Sequence, residues 1–77
     1  MLQYTKEDLD KILKERLNEL LVFSGGYVHL AKMLGVPSST TQGWVNRGRI
    51  SKAGANKVSE NYRLKYSFTA KYLRPDL

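Results

Sequence analysis

Leu30-Ala31-Lys32-Met33-Leu34-Gly35-Val36-Pro37-Ser38-Ser39-Thr40-Thr41-Gln42-Gly43-Trp44 is the stretch that decides the fold. A small residue, Ala31, stands four positions ahead of Gly35, with Leu30, Leu34 and Val36 as apolar neighbours. Two short helices that meet at a tight corner need this arrangement. Ala31 leaves room for the second helix to come close. Gly35 can take the left-handed backbone conformation that ends a helix without the penalty a Cβ would bring. Val36 fills the corner. A Pro-Ser-Ser-Thr break follows, and then a second helical segment carrying Trp44. The pattern predicts a helix-turn-helix over about residues 27–46, a unit whose second helix can enter the DNA major groove.

The same words resemble those of a known group, the small Cro-type phage and prophage repressors and their antitoxin-like bacterial relatives. Around the turn those proteins read A-x-x-L-G-V-x-x-S/T-x-x-x-x-W, and Ala31, Leu34, Gly35, Val36, Ser39 and Trp44 match. The resemblance continues through Arg47-Gly48-Arg49-Ile50-Ser51 and Leu73-Arg74-Pro75-Asp76, and so covers about residues 25–77. It implies an all-α, five-helix, repressor-like DNA-binding domain. Two positions depart from it. Thr41 stands where the family has Val, Ile or Leu facing the core. Gly43 lies inside the second helix of the motif, where glycine costs about 1 kcal/mol relative to alanine.

Outward from the corner, the chain punctuates itself. Thr5 is a credible N-cap with Asp8 three residues on, and Tyr4 and Leu9 stand where a hydrophobic staple would form. Leu9, Ile12, Leu13, Leu17, Leu20 and Leu21 recur at helical spacing and predict a first helix from about Lys6 to Val22. Ser24-Gly25-Gly26 separates it from a second, Tyr27 to Leu34, with Val28, Leu30, Ala31 and Leu34 inward. Ser38 is the expected N-cap of a third helix that runs to about Asn46, and Gly48 stops it. Ser51 should cap a fourth, Lys52 to Asn61, with Ala53, Ala55, Val58 and Tyr62 as apolar positions. Leu64, Tyr66 and Phe68 form a linker with a weak alternating, strand-like pattern. Thr69 should cap a last turn, Ala70 to Leu73, which ends before Pro75.

Composition narrows the function. Seventy-seven residues make one small domain. There is no cysteine, so disulfides and thiolate metal sites are excluded. His29 is the lone histidine, with no partner at metal-ligand spacing. Gly25-Gly26 lacks the strand and lysine of a phosphate loop. No cofactor, small-molecule substrate or catalytic activity is expected. The longest apolar run, Leu20 to Phe23, is far below the roughly 20 residues of a membrane helix. The N-terminus lacks the pattern of a secretory signal, so a cytoplasmic protein is expected. The net charge is +6, and its distribution matters more than its size. Residues 1–20 hold five acids against four bases, whereas residues 21–59 hold no acid and carry Lys32, Arg47, Arg49, Lys52 and Lys57. Positive charge focused on the turn and its sequel is the footprint of a polyanion binder.

The first turn of a recognition helix meets base edges, and the groups around it grip phosphate. Ser38, Ser39, Thr40 and Gln42 are the polar positions there. By the match to the family's words, Ser39 and Gln42 come first as base contacts, with Ser38 and Thr40 next. Glutamine can hold the adenine N6/N7 edge with two hydrogen bonds. Asn46, Arg47, Arg49, Ser51 and Lys52 are expected on phosphates, as is the Tyr27 hydroxyl. Trp44 reads as a core plug, and the scattered tyrosines suit packing better than base stacking. The expected partner is double-stranded operator DNA. One module of this size buries too little surface for high affinity, so a homodimer on a two-fold-related site is expected, with half-sites about 34 Å apart. Its interface would be either the C-terminal strip of Tyr66, Phe68, Tyr72, Leu73 and Leu77 or an exposed strip of the first helix. The alternative is an antirepressor or antitoxin-like interaction module that masks another regulator. Thr41 and Gly43 would suit such a role, and the acid-free basic stretch argues against it.

Overall fold

The computed structural model describes residues 4–76, and each helix starts and stops for a reason legible in its residues. Helix α1, Lys6–Ser24, begins at Thr5, whose Oγ1 accepts the Asp8 N–H at 3.1 Å. Glu7 and Asp8 place negative charge at the positive end of the helix dipole. Leu13, Leu17 and Leu20 are buried, and Leu9, Ile12 and Leu21 flank them half-buried. The helix runs two residues past the expected Val22. Ser24 Oγ donates back to the Leu20 carbonyl at 2.8 Å, which accommodates a serine in the last turn, and Gly25 in the left-handed region then ends it.

Helix α2, Tyr27–Leu34, ends at Gly35 with φ 70°. The Gly35 N–H donates to Lys32 O and the Val36 N–H to Ala31 O, the paired bonds of a Schellman closure. Leu30 and Ala31 are buried, and Leu34 is half-buried. Val28, expected inward, is exposed. At about 100° per residue it lies roughly 60° beyond Ala31, the nearer edge of the arc that Leu30, Ala31 and Leu34 share.

Helix α3 is Ser38–Arg47. Its N-cap is Pro37, not the expected Ser38. The extended proline carbonyl accepts the Thr40 N–H at 3.0 Å, so Ser38 becomes the first helical residue. The helix ends at Arg47, one residue later than expected, and Gly48 stops it in the left-handed region as expected. Thr41 is fully buried, and its hydroxyl lies 2.8 Å from the Tyr27 carbonyl and 3.0 Å from that of Ser38. The residue therefore fills an apolar position with its methyl and satisfies its oxygen on backbone, as a buried polar group must. It ties the first turn of α3 to the first turn of α2.

Helix α4, Lys52–Glu60, starts at Ser51, whose Oγ accepts the Gly54 N–H at 3.0 Å. Its buried positions are Gly54, Ala55 and Val58. Ala53 and Tyr62, expected to face the core, are exposed, because the helix is rotated to bring the glycine against Trp44. Asn61 ends α4 one residue before the sequence suggests. Its Oδ1 accepts the N–H groups of Arg63 and Leu64, and its Nδ2 donates to Met33 O at 2.9 Å, pinning the following turn to the end of α2. That turn is no strand. Leu64 and Phe68 are buried and Tyr66 is exposed, a four-residue spacing where alternation would have put all three on one side.

Helix α5, Ala70–Leu73, is capped by Thr69, whose Oγ1 accepts the Tyr72 N–H. It docks on α1 through Tyr72. The ring lies under the Arg16 guanidinium at 4.3 Å, its carbonyl accepts Arg16 Nη1 at 2.7 Å, and its hydroxyl donates to Glu19 Oε2. Phe68 packs edge-on against Phe23 of α1, with ring centroids 5.4 Å apart. The C-terminal strip read as spare partner surface is thus largely consumed. Phe68 and Leu73 are core, Tyr72 is bound to α1, Tyr66 alone stands out, and Leu77 lies outside the described residues. The exposed apolar side chains on α1 are Val22, 84% exposed, and Phe23, 56% exposed. The central cluster joins Leu17, Leu20, Leu30, Trp44, Ile50, Ala55, Val58, Leu64, Phe68 and Leu73. Among the described residues there is no strand, and no helix is long and apolar enough to cross a membrane.

Candidate nucleic-acid interface

Two buried side chains fix the rotation of α3. Thr41 and Trp44 point inward, and Trp44 is only 2% exposed, a core plug and not a stacking platform. On a helix of 3.6 residues per turn the opposite face is then Ser39, Gln42, Gly43 and Asn46, at i, i+3, i+4 and i+7. Ser38 and Thr40 flank that stripe. The side chains of Ser38, Ser39, Thr40, Gln42 and Asn46 are all exposed. Asn46, expected on phosphate, lies in line with Ser39 and Gln42, one turn beyond the latter.

Gly43 sits in the middle of the stripe with helical backbone. A Cβ there would meet only the Arg47 guanidinium, at 3.4 Å from Nη1. Gly43→Ala is expected to raise the melting temperature by about 4–8 °C, the equivalent of roughly 1 kcal/mol of helix propensity in a domain of this size. If α3 lies in a groove with its backbone close to the bases, the same methyl should weaken duplex binding. A thermal melt and a binding titration on the one variant read both effects, and an unchanged or lower melting temperature would contradict the first.

The flanking groups differ in what they are free to do. Arg47 is exposed and reaches back over Gly43. Tyr27 is half-buried at the start of α2, its carbonyl held by Thr41. Lys52 is exposed at the start of α4. Ser51 is committed to its own helix as N-cap. Arg49 is not the unpaired cation its neighbourhood in sequence suggests, because its Nη2 is 2.5 Å from Asp10 Oδ1. The acid arrives from α1, 39 residues earlier, and no local pattern announces it. Lys14 of α1 is a further cation that sequence reading passed over. Its aliphatic stem crosses Gly48, where a Cβ would lie 4.0 Å from Lys14 Cγ and Cδ. Asp10, Lys14, Asn46, Arg47, Gly48 and Arg49 line a groove between α1 and the C-terminal end of α3.

A second groove lies on the outer side of α1, lined by Glu15, Asn18, Glu19, Val22, Phe23 and Phe68. His29 is exposed on α2 next to Gly25.

No known protein family, curated protein or solved structure matches the chain.

Proposed function

We propose that this protein is a sequence-specific double-stranded DNA-binding regulator of transcription, a repressor of the Cro type that lays α3 in the major groove and acts in the bacterial cytoplasm or nucleoid. The observation that carries the reading is the outward stripe of α3. Ser39, Gln42 and Asn46 project from one face of a helix whose other face is locked by Thr41 and Trp44. Side chains that read base edges must stand on a rigid support in this way. Arg47 and Lys52 stand on either side of Arg49, in a stretch without acids, where phosphates would be met.

In this reading Ser39 and Gln42 contact bases, Ser38 and Thr40 extend the contact at its edges, and Asn46 joins the base-reading row instead of the phosphate set. Tyr27 and Ser51 stand at the starts of α2 and α4, where free N–H groups favour an anion. Two copies on a two-fold-related site would supply the affinity that one module lacks, and the Val22–Phe23 strip of α1 is the apolar face available to join them.

The test is selection of bound sequences from a random duplex pool, with the winner's affinity measured at two salt concentrations. A palindromic consensus whose binding weakens steeply with salt supports the reading. Gln42→Ala is expected to relax the consensus at one base position, at a cost of about 1–3 kcal/mol on the preferred base. An unchanged consensus would remove Gln42 from the base readers. The groove beside Phe23 favours the second reading, an antirepressor or antitoxin-like module that masks another regulator. Absence of enrichment, with binding to a protein partner that salt does not weaken, would transfer the assignment to it.

A further inference from the structure

We infer that α1, which lies outside the helix-turn-helix, tunes the grip on the polyanion from both sides: Lys14 as an added phosphate contact and Asp10 as a brake on Arg49. The inference rests on the DNA-binding reading above and concerns the groove between α1 and the end of α3.

Seven residues line that groove, the apolar Val45 of α3 among them. Arg47 and Asn46 come from α3, Gly48 and Arg49 from the turn after it, Lys14 and Asp10 from α1. Asp10 is the one acid among them, in a region whose own sequence, residues 21–59, carries none. The aliphatic stem of Lys14 runs past Gly48, whose Cβ, were there one, would lie in ordinary contact 4.0 Å from Lys14 Cγ and Cδ, and Lys14 lines the same groove as Arg47. Neither Lys14 nor Arg47 has an ion pair among the described residues. Two cations that line one groove at the end of a recognition helix, neither of them so paired, can hold one backbone phosphate together.

Asp10 acts in the opposite sense. It engages Arg49 through a single Nη2–Oδ1 contact, while a guanidinium has five donors. Both side chains are about two-fifths exposed, so the pair can open without leaving a charge stranded in the interior. A phosphate that takes Arg49 replaces one charge-assisted bond by another of the same kind. The carboxylate remains beside the site and repels it. Every duplex then loses about one phosphate contact's worth of attraction whatever its sequence, while the readers on α3 are untouched. Asp10 therefore lowers affinity for all duplexes by the same factor and leaves the discrimination between sequences to the readers on α3.

The experiment measures two probes, a random-sequence duplex and heparin, by anisotropy across a salt series with the full chain. Asp10→Asn is expected to tighten binding of both about three- to tenfold at low salt and to steepen the salt slope for duplex by about 0.9, the contribution of one phosphate. The gain should shrink in an Arg49→Gln background, where only the direct repulsion between carboxylate and phosphate is left to remove. Lys14→Gln should weaken both probes by a similar factor and flatten the slope. Glu15→Gln makes the same charge change on the outer side of α1 and should alter either probe by less than about twofold. Weaker binding by Asp10→Asn would overturn the proposal by making Asp10 a support for Arg49. Equal gains from Asp10→Asn and Glu15→Gln would overturn it by reducing the effect to net charge, and so would an inert Lys14. Should heparin respond as expected while no duplex is bound, the DNA reading falls and the groove stands as a polyanion site. Should a duplex consensus be found that ignores all three variants, the groove falls and the DNA reading stands.

Discussion

Gly54→Ala is expected to lower the melting temperature by about 10–20 °C and to weaken duplex binding with it. A Cβ at this position would overlap Trp44 Cζ2 and lie 2.7 Å from Cη2 and 3.0 Å from Ile50 Cγ1. None of these atoms is the loose end of a flexible chain. The indole is a rigid plate, and both it and Ile50 are buried. Overpacking of this kind costs about 1–3 kcal/mol, sometimes more. The helix-propensity gain of alanine, about 1 kcal/mol, offsets part of that, so a net loss near 2–3 kcal/mol corresponds to a clash of about 3–4 kcal/mol, at or just above the upper end of the range, as an overlap with a rigid buried ring requires. In a domain of this size each kcal/mol is about 4–8 °C. The functional consequence follows from what Trp44 does. Together with Thr41 it sets the rotation of α3, and a displaced indole turns Ser39, Gln42 and Asn46 off their common axis. Gly43→Ala is the matched control, since the same chemical change eleven residues earlier in the chain meets no rigid atom and should stabilise. A melting temperature at or above wild type for Gly54→Ala would mean that the indole can leave its seat at little cost.

That glycine marks the limit of what the sequence discloses about the fold. The corner was legible because its residues are local. Ala31, Gly35 and Val36 act on neighbours four or five positions away, and the Schellman bonds they predict are present. The caps at Thr5, Ser51 and Thr69 were legible for the same reason, each acting across three residues. Gly54 acts across ten residues on a tryptophan in another helix, and in sequence it reads as a weak spot in α4 between two alanines. Apolar character alone points Ala53 inward, where the structure has it exposed. Thr41 shows the same limit from the other side. Its hydroxyl looked out of place in an apolar position, and only the packing of α2 beside α3 reveals the Tyr27 carbonyl waiting for it. The support this residue lent to an interaction-module reading therefore weakens, since it locks α3 rather than loosening it.

The candidate interface divides along the same line. That Ser39 and Gln42 share a face follows from their spacing, and so does the acid-free stretch around them. The rank of Asn46 depends on the inward pair that fixes the helix rotation, which sequence gave only in part. The pairing of Arg49 with Asp10 is a tertiary contact between the first helix and the turn after the third, and charge counting within residues 21–59 is blind to it. Among the five cations of that stretch, Arg49 is the one whose charge is answered inside the protein by an ion pair among the described residues.

Arg74→Ala is expected to cost about 2–3 kcal/mol, again about 10–20 °C, although the residue is charged and lies near the end of the chain. Its guanidinium is nearly buried. Nη1 donates to the Ile50 carbonyl at 2.8 Å, and Nε and Nη2 hold the two oxygens of Asp76 at 2.9 and 2.6 Å. One side chain thus clamps the segment after α5 to the turn between α3 and α4, and truncation leaves a buried carbonyl without its donor. Arg74→Lys should recover only part of the loss, because an ammonium cannot serve the carbonyl and both carboxylate oxygens in that fixed fork geometry. The clamp also carries a pH signature. The Arg74 hydrogen bond holds the Asp76 carboxyl below the ordinary carboxylate range, against a smaller opposing effect of burial. A carboxyl held low in the folded state contributes stability that is fully present above its unfolded pKa of about 3.9 and is lost as pH falls through the folded value. Asp76→Asn should therefore be less stable than wild type at pH 6, and the gap should close as pH drops below about 4. Urea titrations of the two proteins at several pH values give the answer directly. A gap that stays constant into acid would mean that Asp76 acts through shape and not through charge, and that the clamp rests on the Ile50 carbonyl alone.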